Sequence, residues 1–125
     1  MLTKEQIAKI AVSALEDKMA KELQILRIET ITTLADYFII CTGSSNTHVR
    51  TLMEEVEQRL GLSGIKPHHI EGHGSNTWVL MDYTSVIIHI FTDEARKFYQ
   101  LDRVWADAIF VEPGEIATDP ETGSL

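Results

Sequence analysis

Cysteine is nearly absent from this sequence of 125 residues: Cys41 stands alone, so no internal disulfide can form and a disulfide-stapled secreted scaffold is excluded. Proline occurs three times, too rarely to break the helical and strand patterns that fill most of the chain. Basic residues are few, 11 against 19 acidic ones, for a net charge of −8. That sign is wrong for affinity built on phosphate contacts, so direct nucleic-acid binding is not expected, whereas a basic protein partner is. No long hydrophobic run is present. The longest, Tyr37 to Cys41 and Val86 to Phe91, fall far short of the roughly 20 residues that span a bilayer. The first residues, broken by Lys4, Glu5, Lys9 and Glu16, lack the basic and apolar blocks of a signal peptide. A soluble, cytoplasmic protein without membrane contact is expected.

What remains is 44% hydrophobic, enough for one domain to build a core without metal or disulfide support. Thr3-Lys4-Glu5-Gln6 has the form of a capping box. Ile7, Ile10, Ala11, Ala14 and Leu15 follow at helical spacing. Leu23 to Glu29 alternates as a half-buried strand, and Tyr37 to Thr42 is a continuous apolar run suited to a central strand that ends at Gly43. Ser45 or Asn46 caps a second helix carrying Val49, Leu52, Met53, Val56 and Leu60, which Gly61 is expected to stop. Lys66 to Ile70 reads as a weak strand behind Pro67. Trp78 to Tyr83 and Val86 to Phe91, separated only by Thr84-Ser85, must form an antiparallel hairpin. Thr92-Asp93-Glu94 opens a last helix, which Leu101, Val104, Trp105 and Ala108 continue. The order predicts an α+β fold: a single domain over residues 1–110 with a mixed sheet of about five strands and packed helices. Residues 111–125 form an acidic tail, expected to be disordered because it holds almost nothing to bury.

Several groups of residues could carry chemistry. Thr42-Gly43-Ser44-Ser45-Asn46 joins a strand to a helix and could present backbone N–H groups to a phosphate, yet it matches neither the P-loop nor the dinucleotide fingerprint and suffices as a tight turn with a cap. A strand followed by Gly-Ser and a helix also opens the nucleotidyltransferase fold, whose catalysis needs two or three carboxylates on adjoining strands. Only Asp82 is offered, and no carboxylate pair is expected near the turn. His68, His69 and His73 are the metal candidates, but Pro67, Gly72 and Gly74 deny them a helix, so no metal or other cofactor is expected. Cys41 reads as an inert core thiol and His89, between Ile88 and Ile90, as a hydrogen-bonded sheet histidine. Strand alternation sends Trp78, Leu80 and Asp82 to one face and Val79, Met81 and Tyr83 to the other. If helices cover one face only, the first set has the composition of a protein-binding hot spot. Trp78 could equally belong to a second core layer beneath the C-terminal helix.

Asp36 to Ser45 with His48-Val49, Glu71-Gly72, Trp78 to Tyr83, Val86 to Phe91, and Arg96 through Tyr99 with Leu101 and Trp105 together resemble the ribosomal silencing factor S family, also called Iojap-related. The resemblance runs in order from the first helix to Ala108. It implies a nucleotidyltransferase-like fold without catalysis, and so no enzyme. It also implies binding to the large ribosomal subunit through large-subunit ribosomal protein fourteen, which blocks joining of the small subunit and lowers translation when nutrients run short. Trp78, Leu80, Asp82, His89, Arg96, Tyr99 and Trp105 are then the candidate partner-binding residues. The family usually reads Gly-Asp where this chain has Thr84-Ser85. Two other readings of the residues stay open: a nucleotide-binding enzyme using the Gly43 to Asn46 turn, and a homodimerisation module. Truncation after Pro113 should leave the melting temperature within a few degrees of the full chain, measured by calorimetry, and a larger fall would show that the tail docks.

Overall fold

The computed structural model describes residues 2–28, 35–99 and 109–111. Helix α1 (Lys4–Asp17) begins at the expected capping box: the Gln6 N–H donates to Thr3 Oγ1 over 3.1 Å and the Thr3 N–H to Gln6 Oε1 over 2.8 Å. Strands β1 (Lys21–Arg27) and β2 (Tyr37–Gly43) follow, then α2 (Asn46–Leu62), β3 (His69–Glu71), β4 (Trp78–Asp82), β5 (Val86–Thr92), α3 (Asp93–Tyr99) and β6 (Ile109–Val111). They build one α+β unit with a mixed sheet ordered β3-β4-β5-β2-β1-β6. The sixth strand, beyond the five expected, is the three-residue β6, which pairs Val111 with Ile25 and so takes up the first residue assigned to the tail. The expected helical continuation through Ala108, with Trp105, and the tail from Glu112 lie outside the described residues.

Strands β2 and β5 are parallel neighbours at the centre, with Ile40 opposite His89 and Gly43 opposite Thr92. Every residue of β2 is buried, as its unbroken apolar run requires of a strand covered on both faces. On one face α1 and α2 pack Ala11, Leu15, Leu52 and Val56 against Ile39, Cys41, Met81 and Ile88. On the other, Leu26, Ile28, Phe38, Ile40 and Phe91 form a second core with Ala35 and Ala95. Both faces of the sheet therefore carry apolar layers, and the condition that helices cover one face only is not met.

Three boundaries moved for identifiable reasons. Helix α2 runs through Gly61, because the residue that leaves helical space is Gly64 at φ +80. The Ile65 N–H reaches back to the Leu60 carbonyl and the Gly64 N–H to that of Gly61, the paired bonds of a Schellman end. Strand β1 starts earlier than alternation suggested, since a bulge between Lys21 and Gln24, with Glu22 at φ +49, lets Lys21 pair with Thr42. Strand β3 starts later, as Pro67 has no N–H to give and the pairing begins with the His68 N–H on the Asp82 carbonyl.

The β4–β5 turn puts Thr84 at φ +72, a region costly for a β-branched residue. A glycine would sit there without strain. Here the Thr84 N–H donates to Asp82 Oδ1 over 2.7 Å, which holds the turn. Gly72, at φ +83, faces the start of β4 so closely that a Cβ would run into the Trp78 carbonyl oxygen. Gly72→Ala should therefore cost about 2 kcal/mol or more, read as a lower denaturation midpoint at unchanged slope.

Candidate interaction face

The second face of the sheet presents three rows. Register pairs Trp78 with Phe91, Leu80 with His89 and Asp82 with Ile87 across the β4–β5 ladder. Trp78, Leu80, Asp82 and Ile87 are half-buried, whereas Phe91 and His89 are buried. Trp78 packs against the second core and keeps part of its surface exposed. Its indole stacks on Phe91 with ring centroids 5.1 Å apart and planes 26° from parallel. Its Nε1–H donates to His89 Nδ1 over 3.1 Å.

That bond sets the chemistry of His89. An Nδ1 that accepts must lack a proton, so the ring is neutral with its hydrogen on Nε2. Phe38 meets the imidazole edge-on at 4.8 Å and Phe91 lies nearly parallel at 6.1 Å. Burial pushes the His89 pKa from 6.5 down to about 4. The hydrogen-bonded sheet histidine expected from sequence is what the structure holds, with one addition: Nε2 is buried and has no hydrogen-bond partner among the described residues.

Asp82 sits at the far end of the half-buried row, its Oδ1 engaged by Thr84 and its Oδ2 3.6 Å from His69 Nδ1. His69 Nε2 in turn lies 3.0 Å from Glu71 Oε2. His68, His69 and His73 are exposed, and no group of three or more metal-binding side chains occurs among the described residues.

Arg96 does not join the face, correcting its place in the candidate set. The residue is 9% exposed, and its guanidinium donates to the Glu22 carbonyl (2.6 Å), Thr42 Oγ1 (3.0 Å) and Gln24 Oε1 (2.7 Å). The β1 bulge turns the Glu22 carbonyl to meet it, so Arg96 clamps α3 to β1 and β2. A lone cation in a sequence cannot be assigned inward without knowing that these acceptors converge. The side chain of Tyr99 and all of Trp105 lie outside the described residues. Phe91, Phe38 and Ile87 escaped the sequence reading, although the two-residue turn sets the hairpin register and with it the Trp78–Phe91 pair.

The Ser44–Asn46 turn also differs from expectation. It lines a cavity of about 310 Å³ with Thr77, Thr92, Asp93 and Glu94, so a carboxylate pair does stand near the turn. The parallel β2–β5 pairing ends Gly43 beside Thr92 and brings the starts of α2 and α3 together, which no local pattern reveals. These carboxylates belong to the first turn of α3 rather than to adjoining strands, and Asp93 Oδ2 is 3.7 Å from Lys21 Nζ. Ser45 caps α2, its Oγ accepting the His48 N–H over 3.1 Å. The His48 ring bridges Lys18 and Ser44: Nδ1 takes the Ser44 N–H over 2.8 Å and Nε2 donates to the Lys18 carbonyl over 2.7 Å. Cys41 is fully buried and burial raises its pKa to about 12, which keeps it an unreactive thiol.

The fold and this face define an α+β domain whose distinctive surface is an aromatic and apolar row ended by a carboxylate. A family profile described as "Ribosomal silencing factor during starvation" matches residues 2–124, which extends the likeness past Ala108 into the acidic tail. Ribosomal silencing factor RsfS of Bacillus subtilis is 36% identical over 107 residues, covering 86% of this chain and 91% of that protein. A crystal structure of a Chromobacterium violaceum protein superposes with a TM-score of 0.82 at 32% identity, covering 84% of this chain and 88% of that one. More distantly, "Mitochondrial assembly of ribosomal large subunit protein 1" of Mus musculus is 26% identical over 97 residues, spanning 75% of this chain and 42% of that protein. This chain belongs to the ribosomal silencing factor family.

The buried, neutral His89 makes stability depend on pH in a defined direction. With its folded pKa below its unfolded one, the unfolded chain binds more protons, so the contribution is complete above about pH 6.5 and is lost as pH falls toward 4. The loss is on the order of 3 kcal/mol. Thermal melts between pH 7 and 4.5 should show a slope that His89→Phe reduces, and equal slopes for the two proteins would contradict this.

Proposed function

We propose that this chain is a non-enzymatic translational repressor that docks on the large ribosomal subunit through ribosomal protein fourteen and sterically blocks joining of the small subunit, lowering translation under nutrient limitation. The observation that carries the docking surface is the half-buried row Trp78, Leu80 and Asp82, with the indole held on Phe91 and His89. A large aromatic with a fixed orientation loses little entropy on binding, and an adjoining carboxylate suits a basic partner. The net charge of −8 supports the same pairing, since it speeds encounter with a basic ribosomal protein and disfavours bare RNA. The family description, a silencing factor during starvation, supports the repressor role, and the large-subunit wording in the name of the mouse relative supports that subunit as the target. Translation in the bacterial cytoplasm is the proposed setting.

The cavity beside Ser44–Asn46, with Asp93 and Glu94, favours the nucleotide-binding enzyme as a second reading. The carboxylates weigh against it, because they meet an approaching phosphate with like charge. The homodimerisation reading is separated by sedimentation, since a module that only pairs with itself does not travel with large subunits.

Trp78→Ala should weaken binding to isolated large subunits by about thirtyfold, equivalent to about 2 kcal/mol, and let added small subunits join. Asp82→Asn keeps the acceptor for the Thr84 N–H and removes the charge, so it should lower the association rate and its salt dependence more than the dissociation rate. Co-sedimentation followed by a subunit-joining assay checks both. A folded Trp78→Ala protein that still blocks joining fully would place the docking surface elsewhere.

A further inference from the structure

We propose that His89 is a positioning residue for docking, holding the Trp78 indole in the orientation that the partner meets. The inference rests on the docking reading above and deepens it. Its starting point is a cost. His89 is 4% exposed, and its Nε2–H lies buried without a hydrogen-bond partner among the described residues. An orphaned buried donor is expensive, and a phenylalanine ring, flat like imidazole though one atom larger, would lie between Phe38 and Phe91 without one. Packing therefore favours phenylalanine at this position, and what histidine adds is the Nδ1 acceptor.

That acceptor has one observed use, the Trp78 indole N–H at 3.1 Å. Stacking on Phe91 sets the plane of the indole, and the hydrogen bond to Nδ1 sets the direction in which its N–H edge points. Trp78 is the half-buried ring at the start of β4, so its exposed edge is the part a partner can read. The imidazole is itself held, by the Phe38 edge contact and by its place on the central strand β5 opposite Ile40. Burial keeps it neutral, so the Nδ1 lone pair stays available at the pH of a cell. A rigid chain of contacts thus leads from the centre of the sheet to the exposed edge of the indole.

The test uses the full chain and isolated large subunits. The Trp78 indole N–H line in a proton–nitrogen correlation spectrum is assigned by its loss in Trp78→Phe. His89→Phe should fold at least as stably as wild type at pH 7, shift that line upfield with faster exchange, and weaken large-subunit binding about tenfold, the worth of one buried hydrogen bond. His89→Asn, whose Oδ1 can stand where Nδ1 does, should restore most of the affinity and move the line back. In a Trp78→Phe background, which keeps a ring and removes the donor, His89→Phe should give no further loss. Unchanged binding by His89→Phe with wild type bound, or an equal loss in the Trp78→Phe background, would overturn the proposal while leaving the docking reading intact. Failure of wild type to co-sediment would overturn the docking reading, and this proposal with it.

Discussion

The parallel ladder between β2 and β5 is the constraint on which the rest of the molecule depends. Both strands are long, apolar and central, and their pairing forces a crossover that α2 and the β3–β4 hairpin together supply. It decides which side chains share a face: Ile39, Cys41, Ile88 and Ile90 turn toward α1 and α2, while Phe38, Ile40, His89 and Phe91 turn the other way. It also decides which ends meet, setting the Ser44–Asn46 turn beside Asp93 and Glu94. The hairpin then extends the second face outward to Trp78, Leu80 and Asp82.

The polar groups buried behind the interaction face are treated in two ways. Arg96, Thr42 and His89 are each buried. Arg96 and Thr42 satisfy one another and the acceptors of β1, so their burial binds α3 to the sheet at little net cost. His89 is different, since only one of its two nitrogens has a partner among the described residues. Among the described residues, the polar groups of Arg96 are met and one nitrogen of His89 is not. The partner of its other nitrogen is the half-exposed tryptophan, which links the interior of the sheet to the surface proposed for docking.

Charge acts at a longer range than these contacts. The excess of acidic residues does not determine the fold, but it selects among partners: it slows approach to phosphate-rich surfaces and favours a basic protein. Asp82 ends the apolar row, with its carboxylate beside His69. The same carboxylate supports the strained Thr84 turn, so one side chain serves both the hairpin and the surface.

Much of this was legible in residue order because it depends on near neighbours. The Thr3–Gln6 capping box, the stripe of α1, the unbroken run of β2, the Thr84-Ser85 hairpin and the alternation of β4 are all properties of a few consecutive residues. Family membership was legible for the same reason, carried by the segments around Cys41, Trp78 and His89. Tertiary structure alone turned Arg96 inward, set Asp93 and Glu94 beside the Ser44 turn, added β6 to the sheet and left one nitrogen of His89 without a partner among the described residues. Each of those depends on groups far apart in the chain being brought together. Arg96 and Thr42 are 54 positions apart, and no local pattern encodes that they meet. Local propensity acts within a few residues, whereas the pairing of distant strands is decided by the burial of whole faces, and only that burial selects the neighbours a side chain will have.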